Sequence, residues 1–212
     1  FGDIPAGEAI TRSFPEEAPI TEQVNAKAYD SNIQIPATVI GYRTPSFTAK
    51  DSYVLNMISD YLSDGNSSKL YKKLVDDQKQ ALQVGAFNLE QEDYGMYLIF
   101  ALPLGETSSE TLTTEIEEEI AKLRNDLISE KDFQKLQNKA ENSYVNSNSS
   151  VAGIANSLAR NYLLYGDTNL INDEIKIYRN ITREDIKRVA NEYLKPNQRV
   201  VLEYLPESSQ AE

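Results

Sequence analysis

The stretch "GNSSKLYKKLVDDQKQALQVGAF", residues 65–87, changes its apolar period part-way along. Leu70, Tyr71, Leu74 and Val75 recur at helical spacing, so a short helix is expected there. Ser67 or Ser68 stands where a hydroxyl can accept a hydrogen bond from a free N–H of its first turn. From Ala81 the pattern becomes apolar and strand-like, "ALQVGAFNL". Gly65 is placed to end whatever helix comes before. A helix closed by glycine, a second short helix and then a strand do not fit regular βα alternation.

Working upstream, "PATVIGYR" (residues 36–43) is β-branched and apolar enough for a buried strand. Thr48 with Asp51 three residues on reads as a variant capping box. Val54, Leu55, Ile58, Tyr61 and Leu62 then mark one helical face. Downstream, "GMYLIFALP" (residues 95–103) reads as a strand antiparallel to 81–89, joined through Glu92-Asp93-Tyr94-Gly95. Ser108 or Ser109 caps a helix running to about Asn125, with Leu112, Ile116, Ile120 and Leu123 on one face. Ser129 with Asp132 opens another, interrupted near Asn146 to Ser150. "IANSLARNYLLYG" is a further helix ended by Gly166. Thr182 and Asp185 form a capping box before Ile186, Val189, Ala190, Tyr193 and Leu194; Pro196 stops that helix, and "RVVLEYLP" closes the series as a strand. The order predicts an α+β fold of two layers, a mostly antiparallel sheet with helices packed on one face. Residues 1–30, rich in Pro, Glu and Gly, read as an interdomain linker or extended arm, 31–206 as the domain, and 207–212 as a disordered tail.

Composition removes several classes of function. The 212 residues are enough for a proper core. There is no histidine and no cysteine, so neither a histidine-dependent zinc site, a serine or cysteine triad, nor thiol chemistry can be complete in this chain. The net charge of −12 argues against a phosphate-binding surface and so against nucleic acid. It leaves a solvated acidic surface, or a preference for basic peptides. No run approaches the length of a membrane-spanning helix. Phe1-Gly2-Asp3-Ile4-Pro5 lacks the basic and apolar regions of a signal peptide, and the missing Met makes the chain read as cut from something longer. Glu115, Glu117, Glu118 and Glu119 could suggest a hard-cation site, but Glu115 and Glu119 share a face beside Lys122 and read as a solvated face. Lys187, Arg188 and Lys195 lie late in a helix, where their charge interacts favourably with its dipole.

The stretch around the serines resembles the "G-x-SSRLY-x-x-LV" segment in the second domain of pitrilysin-type zinc peptidases, the insulinase and processing-peptidase family. Other segments agree in order. "FGDIPAG" resembles the segment joining the family's two domains; "VIGYRTPSFTAKDSYVLNMISDYLSDG" is similar to the strand and helix before the serines; "ITREDIKRVANEYLKPNQRVVLEYLP" resembles the final helix and strand. The resemblance covers roughly residues 1 to 206 and rests on this collinear set.

It implies a parent protein with two such domains, related by duplication, around a chamber for peptide substrates. Zinc and the general base would sit in the first domain, on a His-x-x-Glu-His motif that this chain lacks. Some relatives supply an Arg and, seven residues later, a Tyr that hold the substrate carbonyl. Val75 and Leu82 occupy those positions here, so that role is not carried over and no catalytic, metal or substrate-binding residue is assigned. Gly65, Ser67, Ser68, Lys69 and Leu70 read as a helix-capping structural motif. The resemblance thus implies the C-terminal, non-catalytic domain of a bacterial zinc metalloendopeptidase. It would close the peptide chamber, pack on the catalytic N-terminal domain, and take clamping residues from a partner subunit. The zinc cofactor belongs to that missing domain. Family habit implies the periplasm; the residues themselves fix no compartment. A scaffold module of a metal-less member is the alternative. A peptide-binding domain working by edge-strand addition is a third reading.

Overall fold

The computed structural model describes residues 2, 3, 5, 7–11 and 18–211. Phe1, Ile4 and Ala6 of the joining segment, residues 12–17 of the arm and Glu212 of the tail lie outside the described residues. Five strands form one sheet: β1 (Val24–Asp30), β2 (Ala37–Pro45), β3 (Ala81–Leu89), β4 (Tyr94–Pro103) and β5 (Arg199–Pro206), in the order β1-β5-β2-β4-β3. All neighbours are antiparallel except β1 and β5, which run parallel from Val24↔Val200 to Asp30↔Pro206. Six α-helices complete the fold: α1 (Lys50–Ser63), α2 (Ser109–Asn125), α3 (Glu130–Ser147), α4 (Val151–Tyr165), α5 (Leu170–Arg179) and α6 (Arg183–Tyr193). The expected α+β architecture is the one observed.

Strict alternation in the strands decides which side carries the helices. In β2, Thr38, Ile40, Tyr42 and Thr44 are buried; in β4, Tyr97, Ile99 and Ala101 are. These residues meet Val54, Leu55, Ile58 and Leu62 of α1, Leu112, Ile116 and Ile120 of α2, and Ile186 and Val189 of α6 in one core. Asp51 of α1 takes a bidentate grip from Arg188 of α6, at 2.7 and 2.9 Å. Thr182 and Asp185 make the full reciprocal capping box at the start of α6.

Under this core lies a buried charge network. Arg199 at the start of β5 donates to Glu117 Oε2 of α2 at 2.6 Å, and to Gln23 Oε1 at 2.8 Å. Glu117 also holds Arg124, which donates to the Leu194 carbonyl at the end of α6. Burial pushes the Tyr42 phenol, beside Arg199, up to about 12.

Several local readings give way. Thr48 does not cap α1: the N-cap is Ala49, with no side-chain bond, because Thr48 Oγ1 is engaged with Ser46. The short helix after the serines is a π-helix, Tyr71–Asp77, not an α-helix. The glutamate face of α2 is not solvated: Glu119 is buried, and Lys73 of the π-helix bridges Glu115, Glu118 and Glu119. Arg188 serves Asp51, and Lys187 donates to the Asn125 carbonyl, so both tie elements together. The last residues of the segment assigned to the arm are strand β1, and Glu207–Ala211 of the expected tail form a 3-10 helix beside β1 and β5.

Two outcomes are expected. Glu117→Ala strands two guanidinium groups in a low-dielectric site and should cost about 3–5 kcal/mol in urea unfolding, with the same slope on denaturant. The bond from Arg188 holds the Asp51 carboxyl below its ordinary range. A folded value lower than the unfolded one means stability that is present at neutral pH and lost as pH falls through the lowered value. The gap in urea midpoint between wild type and Asp51→Asn should therefore be wide at pH 7 and close below about pH 4. A gap independent of pH would show that the pair contributes no proton-linked stability.

Candidate functional site

The serine stretch is built into the corner between α1, the π-helix and α3. Gly65 takes a left-handed conformation, φ 72°, just beyond the end of α1. Leu70 is fully buried. Lys69 pairs with Asp132 at 2.9 Å and lies over the Tyr61 ring. Ser67 Oγ accepts from Lys135 at 2.7 Å. Neither serine caps the π-helix, whose N-cap is Leu70 without a side-chain bond. Ser68 Oγ is buried with no hydrogen-bond partner. These five residues are thus brought together, but as a fastening between helices and not as helix caps. Val75 packs against the core from the π-helix, and Leu82 is exposed at the β-bulge that opens β3. Neither side chain can donate a hydrogen bond, so no carbonyl clamp exists at those positions.

The other concave feature is the face of the sheet that carries no helix. Its floor is apolar: Val39 and Gly41 of β2, Met96 and Leu98 of β4, Val200 and Leu202 of β5. Register sets these side by side, with Gly41 between Leu98 and Val200 and Val39 opposite Leu202. Ala18 and Ile20 form one wall, and Glu92, Asp93 and Tyr94 of the β3–β4 turn form the rim, enclosing about 1120 Å³. Arg43 lies 3.9 Å over the Tyr94 ring and donates to the Ala18 carbonyl at 3.3 Å, which holds the wall to the rim. A Cβ at position 41 would meet Leu98 Cδ2 at 3.3 Å and Met96 Sδ at 3.8 Å, so glycine keeps the floor open. The floor of the groove is apolar, and Glu92 and Asp93 make its rim acidic. The groove carries no nucleophile–base pair. Among the described residues no group of three or more acidic, histidine or cysteine side chains could hold a metal ion.

The groove was not singled out from sequence. Its signal was the apolar character of the alternate positions 39, 96, 98, 200 and 202, which marks a second face wanting cover.

Residues 1–140 match the family model described as the peptidase M16 inactive domain. The chain belongs to the peptidase M16 family. Within it, this M16 inactive domain is 27% identical over 191 residues to the zinc protease PqqE of Helicobacter pylori, covering 90% of this chain and 43% of that protein. The crystal structure of a protease from Helicobacter pylori superposes with TM-score 0.84 at 25% identity, over 93% of this chain and 48% of that one. An M16 inactive domain from Pseudomonas fluorescens shares the fold, with TM-score 0.75 at 15% identity, over 94% of this chain and 47% of that one. The chain thus spans less than half the length of these relatives. The pitrilysin-like resemblance and the non-catalytic character read from the sequence both hold.

If Ser68 does not cap, Ser68→Ala should leave stability unchanged or slightly raised, since it removes a buried hydroxyl that has no hydrogen-bond partner. A capping serine replaced by alanine would instead lose about 1 kcal/mol; thermal unfolding of the pair separates the two.

Proposed function

We propose that this chain is the chamber-closing half of a zinc metalloendopeptidase, packed against a catalytic half that supplies zinc and the general base. The residues ahead of β1 join the two halves, and the closing domain runs from β1 through the 3-10 helix that follows β5. The observation that carries the reading is the uncovered apolar face of the sheet, in a chain that belongs to the M16 inactive domain and contains no histidine.

A floor of Val39, Met96, Leu98 and Leu202 can take the apolar side chains of an unfolded peptide, while Glu92 and Asp93 on the rim attract basic ones. Apolar contact along an extended substrate raises its local concentration without performing a proton transfer. Zinc bound in the other half would supply the water-activating chemistry, in which no residue of this chain is assigned a part. Val75 and Leu82 leave the substrate carbonyl without a donor from this chain, so a clamp, where one exists, comes from the catalytic half or from a partner subunit.

The test compares the full-length parent with this chain, measuring bound zinc and cleavage of a mixed peptide library. Zinc and cleavage in the parent, with neither in this chain, is the expected result. Cleavage by this chain alone would overturn the reading. A parent with no zinc and no cleavage would make the domain part of a scaffold.

A further inference from the structure

Helix α4 is built inside out. Val151, Ile154, Ala155, Leu158, Ala159, Tyr162 and Leu163 recur at three- and four-residue spacing, a continuous apolar stripe about 18 Å long at 1.5 Å per residue. Such a stripe normally faces a core, yet Val151 is 86% exposed, Leu163 82% and Tyr162 68%. The single buried residue of the helix is Asn161, and it is polar. The face turned inward carries Ser157 and Asn161; Ser157, with Asn156 and Arg160 at the exposed edge, borders a polar cavity of about 690 Å³ whose far side includes Asp60 and Glu174. Burial pushes both of those carboxyls up.

The inner wall and the inner face therefore agree in polarity, and turning the helix over would set leucine against carboxylate. The helix is started by Ser150, whose Oγ accepts from Gly153 N–H at 3.0 Å. Exposed apolar surface of this size on one helix marks an interface.

We propose that the outer stripe of α4 is the docking surface for the catalytic half of the parent, which rests on the function proposed above. Two observations select this occupant. The relatives that superpose on this domain carry slightly more than half of their length outside it, enough for a second domain. The stripe is also uncharged in a chain of net charge −12: Arg160 is the helix's only ionisable group besides its tyrosines, and it borders the polar cavity. An uncharged seam lets this acidic chain meet a partner surface without charge repulsion. A membrane surface fits poorly, because interfacial helices flank their apolar face with Lys and Arg.

The test replaces Tyr162 with the photo-crosslinking residue p-benzoylphenylalanine in the full-length parent, with Glu184, an exposed residue of α6, as the control position. After irradiation, peptides joined to position 162 are identified by mass spectrometry. The expected result is a severalfold higher yield than at Glu184, with partner peptides lying outside this domain of the same polypeptide. Background yield, or products joining α4 of two copies, overturns the assignment; the second outcome would make the stripe a dimer seam. Zinc and cleavage are measured on the same preparation. A zinc-loaded, cleaving parent with only background crosslinking sinks the docking surface and spares the enzyme reading. A parent without zinc or cleavage that crosslinks strongly does the reverse.

Discussion

The bond from Arg199 to Glu117 joins the last strand to the layer of helices, and the arrangement of the sheet depends on it. Arg199 stands at the head of β5, between β1 and β2. Glu117 reaches it from α2 and holds Arg124, which in turn grips the end of α6 through the Leu194 carbonyl. One carboxylate thus fixes three elements. Buried charge of this kind contributes little net stability compared with an apolar core. A shifted register of β5 would leave the Arg199 guanidinium without its counter-charge, so the pair disfavours that register.

The two faces of the sheet are treated differently by the same alternation. One face is satisfied by α1, α2 and α6, with large side chains fully excluded from water. The other face is equally apolar in its floor but keeps its groove, with Gly41 and the Arg43–Tyr94 stack shaping it. A second apolar surface, on α4, looks outward while polar groups fill the space behind it. The domain thus has one core of its own and two further apolar surfaces outside it.

Much of this was legible in residue order. The antiparallel pair β3–β4, the helices capped by Ser108, Ser129 and Thr182, and the stop at Gly166 follow from local chemistry that tertiary contacts do not overrule. What escaped depends on distant partners. Strand β1, with its mixed sequence Val24–Asp30, is a strand because β5 lies beside it. Helix α5, which no reading singled out, buries no residue fully but packs Ile177 and Tyr178 against the core. Glu115, Glu118 and Glu119 seemed solvated because Lys73, some forty residues earlier, cannot be placed against them by spacing alone. The groove escaped for a similar reason, since its floor is assembled from strands at opposite ends of the chain.

The place of β5 has a consequence for biosynthesis. Both β1 and β2 hydrogen-bond to a strand that begins at Arg199, so neither has its full set of partners until the ribosome has made almost the entire domain. At roughly 5–20 residues per second, the β2–β4–β3 portion waits many seconds with the edge of β2 open. An open edge of that kind is where nascent chains pair wrongly. The edge of β2 therefore stays without its partner until residues 199–206 have been made.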